Sequence, residues 1–129
     1  MPESPPPHAR GLCASDALGD GGDAVPFALR YQGQALRAFA VRYQGQAVAY
    51  LNRCAHIGME MDWQANRFFD ADGQWLLCAT HGAAYHPHTG LCVAGPCVGA
   101  RLVPVPLLEH HGQLYWLPEP PFSTLELST

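Results

Sequence analysis

The sequence predicts an all-β domain, antiparallel sheets forming a sandwich-like base with a smaller subdomain, about residues 53–96, at one end. Three observations predict it. Apolar, β-branched and aromatic residues fall in short runs along almost the whole chain. Turn signals separate those runs: Gln-Gly twice, Asp72-Gly73 and His111-Gly112. At 129 residues the chain is one domain, able to bury roughly two-thirds of the surface its unfolded form exposes, so no disulfide scaffold is required.

Residues 1–24 read as a flexible lead, rich in Pro, Gly, Ser and Asp and without the apolar stretch of a signal peptide or membrane anchor. Residues 27–31, 36–43 and 47–52 are expected as strands joined by Gln-Gly turns. The hexapeptide Arg-Tyr-Gln-Gly-Gln-Ala occurs at 30–35 and again at 42–47. Two copies twelve residues apart are two similar hairpin turns, not a solenoid. A short helix is expected around 60–66, and residues 67–69 and 75–77 should form a hairpin closed at Asp72-Gly73. Residues 102–108 and 114–117 form a second hairpin, its first strand demoted to an edge by Pro104 and Pro106. The body of the domain therefore spans 25–117, and residues 118–129 are a Pro-rich tail.

Composition excludes several function classes. Hydrophobic residues make up 48% of the chain but charged residues only 14%, against a usual quarter. All seven basic residues are arginines spread singly along the chain. Nucleic-acid binding needs a clustered basic face and is not expected. No stretch approaches eighteen apolar residues, so no membrane association is expected and the protein is read as cytoplasmic. Net charge is −4, and Glu60, Asp62, Asp70 and Asp72 form either an acidic rim or plain solvated loop surface.

The chemistry lies in two clusters, Cys54-Ala55-His56 and Cys78-Ala79-Thr80-His81, separated by 21 residues. Each carries one thiol and one imidazole. Two cysteines and two histidines make a tetrahedral zinc site, but zinc fingers usually place both cysteines in one cluster and both histidines in the other. One of each per cluster suits facing loops that clasp a binuclear 2Fe-2S centre, each loop giving one ligand to each iron. Thiolate suits sulfide-bridged iron, and neutral imidazole leaves its iron easier to reduce. Gly58, Gly82, Tyr85 and Gly95-Pro96 flank the clusters, with glycine permitting tight backbone and proline fixing a loop.

On these residues the stretch 51–116 resembles the Rieske family, in particular its small stand-alone ferredoxins. The resemblance implies a Rieske-type antiparallel β-sandwich with a small cluster-binding subdomain. It implies that Cys54 and Cys78 bind one iron and His56 and His81 the other, with one 2Fe-2S cluster per chain and Gly95-Pro96 in the family's proline loop. Departures carry information too. Members of respiratory and photosynthetic complexes have an extra cysteine in each loop, forming a disulfide, where this chain has Met59 and Thr80. They also have a serine that hydrogen-bonds a cluster sulfide, where this chain has Ala83. Tyr85 either donates to a ligand sulfur or packs beneath the loop. The expected potential lies in the lower part of the range of about −150 to +300 mV.

Cys13, Cys92 and Cys97 remain. Cys92 and Cys97 are spaced so that a disulfide is conceivable, and the reading adopted is buried thiols. His86 and His88 are expected on a solvated turn and His110 and His111 in a hairpin turn. No Ser-His-Asp triad can be assembled. The resemblance implies a non-enzymatic electron carrier passing single electrons from a reductase to an oxygenase or other redox protein. The alternatives are an accessory small subunit of a dioxygenase- or nitrite-reductase-type system, and a zinc-stabilised interaction module.

Overall fold

The computed structural model describes residues 6–53, 67–78, 82–96 and 98–124. Within them the chain forms ten strands in three antiparallel sheets, with a single 3-10 turn at Ser15–Ala17. The largest sheet holds β2 (Val25–Tyr31), β3 (Gln34–Tyr43), β4 (Gln46–Leu51) and β10 (Phe122–Ser123), in the order β10-β2-β3-β4. A second sheet, β1-β9-β8, joins Arg10–Ala14, Gln113–Trp116 and Leu107–His110. The third, β5-β6-β7, is small: Leu76–Leu77, Ala84–Tyr85 and Cys92–Ala94.

Both copies of the repeated hexapeptide are hairpin turns. Gln32 and Gly33 take φ of 52° and 82°, Gln44 and Gly45 take 51° and 80°, and His111 and Gly112 take 49° and 75°. Two consecutive positive φ values define the turn whose twist matches that of paired strands, and glycine supplies the second without strain. These turns set the register: Tyr31 faces Gln34, Tyr43 faces Gln46, and β3 pairs with β2 over Gln34–Ala40 and with β4 over Ala38–Tyr43.

Strand β3 explains the architecture. Its side chains alternate between faces, and both faces are buried. Ala38 and Ala40 join Leu29, Ala49, Leu51, Val105, Leu114, Trp116 and Phe122 in the core shared with β1-β9-β8. Phe39, Val41 and Tyr43 join Tyr50, Phe68, Phe69, Leu76, Tyr85 and Leu102 in a second core beneath the small sheet. Phe39 stacks on Phe68 with ring centroids 3.8 Å apart. The long sheet is thus a wall with one core on each side, and the small sheet rests on its second face.

Several expectations change. Part of the lead, Arg10–Ala14, is a strand that pairs with β9. Its composition is that of a loop, and the open edge of β9 supplies the missing stability. The 102–108 strand shrinks to an isolated bridge between Pro104 and Tyr50, followed by β8 from Leu107, because proline has no N–H to pair. In the tail, Phe122 and Ser123 pair with Tyr31 and Arg30 on β2. The hairpin after residue 67 forms as expected: Phe69 bridges Leu76, the Leu77 N–H donates to the Phe68 carbonyl at 2.7 Å and Asp70 N–H to Trp75 at 2.9 Å. The helix expected at 60–66 lies outside the described residues. Among the described residues no helix is long and apolar enough to cross a membrane.

Candidate metal centre

Of the four expected ligands, the structure describes Cys78; Cys54, His56 and His81 lie outside the described residues. Cys78 follows the last residue of β5 and is fully buried. The ends of its loop are tied together. Cys78 N–H donates to the Ala83 carbonyl at 2.8 Å, and Gly82 N–H to the Cys78 carbonyl at 2.9 Å. A thiol so placed has its backbone fixed by two bonds and its side chain excluded from bulk water.

A second loop lies against the first. β7 ends at Ala94, and Gly95-Pro96 follows. Gly95 has φ of 94°, and a Cβ there would sit 2.8 Å from Ala83 Cα and 3.3 Å from the Gly82 carbonyl oxygen. Only glycine allows this approach. The base of that loop is closed by Cys92, whose N–H donates to Ala100 at 2.8 Å and whose carbonyl accepts from Gly99 at 3.2 Å. Its Sγ donates to the Ala94 carbonyl at 3.2 Å. Cys92 is thus a buried thiol, as expected, and Cys97 lies outside the described residues.

The cradle fits a sulfide-bridged iron on its described side: a buried thiol at a closed turn, under a covering loop close enough to exclude any larger residue than glycine. Across the small sheet Leu76 faces Tyr85 and Tyr85 faces Cys92, and all three are buried in the core behind Cys78. Tyr85 thus packs in the core beneath the loop, which is compatible with either role expected for its hydroxyl. Ala83, fully buried, stands at the meeting point of the two loops.

His86 and His88 depart from the solvated turn expected for them. Both are half-buried. His88 N–H donates to His86 Nδ1 at 3.2 Å, His88 Nε2 lies 3.2 Å from the Tyr43 carbonyl, and the Tyr43 ring meets the His88 ring edge-on at 4.8 Å. Tyr43 on β3 is the cause, since it offers an aromatic surface that no local pattern reveals. Nearby, the Tyr50 hydroxyl donates to the Pro87 carbonyl at 2.6 Å, and burial pushes its pKa up to about 12. The anchoring roles of Tyr50 and Cys92 escape sequence reading, whereas Gly95-Pro96 was a local signal for a fixed loop.

Comparison with known proteins agrees with this geometry. The description of the Rieske [2Fe-2S] domain matches residues 10–115. No curated sequence matches the chain. Among solved structures, the ferredoxin of carbazole 1,9a-dioxygenase from Nocardioides aromaticivorans IC177 is 22% identical, with a TM-score of 0.63, over 86% of this chain and 98% of that one. A ferredoxin from Sphingomonas yanoikuyae B1 is 21% identical, with a TM-score of 0.64, over 86% and 99%. A complex of reduced oxygenase and oxidized ferredoxin in carbazole 1,9a-dioxygenase aligns at 21% identity and a TM-score of 0.65, over 92% and 98%.

Proposed function

Because the chain belongs to the Rieske [2Fe-2S] domain family, and so carries one 2Fe-2S cluster, we propose that it is a non-catalytic electron carrier between a reductase and an oxygenase or similar acceptor. Cys54 and Cys78 are assigned to one iron, His56 and His81 to the other. The observation that carries the reading is the buried thiol of Cys78 at a turn covered by the Gly95-Pro96 loop. Partnership with an oxygenase is supported by likeness in fold to a ferredoxin in complex with one.

The cluster supplies a one-electron couple. The chain's own residues hold it and control its surroundings. Cys78 anchors from the end of β5 with its backbone fixed on both sides, so its sulfur is pre-positioned. Ala83 presents a methyl side chain, which has no donor, at the contact between the loops. Tyr85 and Leu76 keep water from the inner side. On its described side the centre offers an electron a seat protected from bulk water.

Substituting single ligands tests the assignment. Cys54→Ser, Cys78→Ser, His56→Ala and His81→Ala should each abolish the Rieske-type absorption and electron paramagnetic resonance spectra, since a metal site's ligands also stabilise the fold. His86→Ala and His88→Ala should keep both. A normal spectrum in either cysteine variant would refute the ligand set.

A further inference from the structure

Arg42 on β3 is a junction. Its guanidinium has five N–H donors in a rigid plane, and each has an acceptor. Nε donates to the Leu18 carbonyl at 3.0 Å. Nη1 donates to the Gly45 carbonyl at 3.0 Å and to Glu109 Oε1 at 3.5 Å. Nη2 donates to the Ser15 carbonyl at 2.9 Å and to Glu109 Oε2 at 2.6 Å. Three elements therefore meet on one side chain: β8 through Glu109, the β3–β4 turn through Gly45, and the segment between β1 and β2 through Ser15 and Leu18. A lysine, with a single nitrogen, cannot span acceptors spread in this way.

The segment that Arg42 grips is a strap, residues 15–24, that runs from one core of the molecule to the other. At its start Ser15 N–H donates to the Gly112 carbonyl at 2.8 Å, and Leu18 is buried in the base core with Leu114 and Trp116. In its middle it follows β3. Asp20 bridges Arg42, Gly21 N–H donates to the Arg42 carbonyl at 2.9 Å, and Asp20 Oδ1 accepts from Gly45 N–H at 3.0 Å. At its end Ala24 is buried in the second core, the one that contains Cys78.

Just before Ala24 the strap meets the hairpin that leads into Cys78. Gly21 and Gly73 have φ of 66° and 69°, and a Cβ on Gly21 would lie 3.3 Å from Gly73 Cα. Backbone rests on backbone there. Asp23 Oδ1 pairs with Arg67 Nε at 2.9 Å, at the start of the same hairpin. The hairpin is itself closed by Asp70 Oδ1, which accepts from the N–H groups of Gln74 and Trp75 at 2.9 and 3.3 Å. From it the chain passes through β5 directly to Cys78.

We infer that Arg42 is a positioning residue for the iron-sulfur centre: it locks the 15–24 strap, and the strap holds the 67–77 hairpin and with it Cys78. The inference rests on the electron-carrier reading above. Supports outside the ligand set orient the ligands and tune the metal, and a ligand braced from behind keeps one geometry in both oxidation states.

Amide hydrogen exchange of the cluster-loaded protein, read beside the electron paramagnetic resonance of its reduced centre, tests this. Arg42→Lys keeps a positive charge opposite Glu109 but releases the strap. Exchange at Gln74, Trp75 and Leu77 should quicken by about tenfold, and the resonance lines should broaden. Gly21→Ala leaves Arg42 intact and pushes the strap off Gly73, so it should show the same two changes, and it carries the test if Arg42→Lys does not fold. Asp23→Asn should give a smaller change of the same kind. The double variant Arg42→Lys/Asp23→Asn should match Arg42→Lys alone, because a freed strap has no hold left to lose. Glu119→Gln, which weakens the contact of His8 with Glu119 outside the strap, should leave both readouts as in the wild type. Unchanged hairpin exchange in a folded Arg42→Lys or in Gly21→Ala, multiplied effects in the double variant, or an equal change in Glu119→Gln would overturn the inference. A wild type without a Rieske spectrum would instead refute the electron-carrier reading, and hairpin exchange would still report whether Arg42 holds the hairpin.

Discussion

Cys78 and Tyr50 show how single residues hold the site. Cys78 was legible in the sequence because a thiol and an imidazole three residues apart, matched by a second thiol and imidazole two residues apart at Cys54 and His56, have few other meanings. Tyr50 was not, since its role depends on Pro87, 37 residues away. Its hydroxyl is neutral and bonded in the folded chain, with a pKa raised to about 12 from 10. The unfolded chain therefore releases this proton first. The stabilising contribution is complete below pH 10 and is lost as pH rises towards 12. Tyr50→Phe should cost about 1–2 kcal/mol at pH 7, because the Pro87 carbonyl is left without its donor, and should remove this part of the alkaline loss. Urea unfolding from pH 7 to 11 measures both. Ala83 bears on redox chemistry. With no hydroxyl at the meeting point of the loops, the wild-type midpoint potential should lie below zero millivolts, towards the lower Rieske limit near about −150 mV. Ala83→Ser should raise it if the new hydroxyl donates to a cluster sulfide, and a wild-type value well above about +100 mV would contradict the account, given a range of about −150 to +300 mV.

At the scale of elements, two loops and one strand place the centre. The strand was legible: β3 holds the short apolar run Ala38–Val41 between Arg37 and Arg42, and the two Gln-Gly turns fix its partners. Its double burial was not, because four consecutive apolar residues do not say that both faces are covered. The loops were half legible. Gly95-Pro96 marks a turn, but the approach of its backbone to Ala83 is a property of the packed sheet. That approach makes a direct prediction. Gly95→Ala adds a carbon 2.8 Å from Ala83 Cα at a φ of 94°, so the loop must shift and the strain should cost about 1–3 kcal/mol. The variant should lose its cluster faster than the wild type during thermal or chelator challenge, followed by the bleaching of its visible absorption. An unchanged loss rate would show that the covering loop does not protect the centre.

For the molecule as a whole, the sheets divide the labour. The four-stranded wall buries one core against β1-β9-β8, which makes a stable base, and a second core against the small sheet, which carries Cys78 at its end. Composition and turn chemistry predicted the all-β class. The strand at Arg10–Ala14 and the half-buried His86 and His88 came from tertiary pairing alone, in which an edge or an aromatic face decides what local residues leave open. Everything above turns on whether this chain holds sulfide-bridged iron, and chemical analysis of the purified protein made with adequate iron answers that most directly. Two irons and two acid-labile sulfides per chain are expected from the complete set Cys54, His56, Cys78 and His81. Stoichiometric zinc without sulfide would contradict the account and leave a zinc-stabilised module in its place.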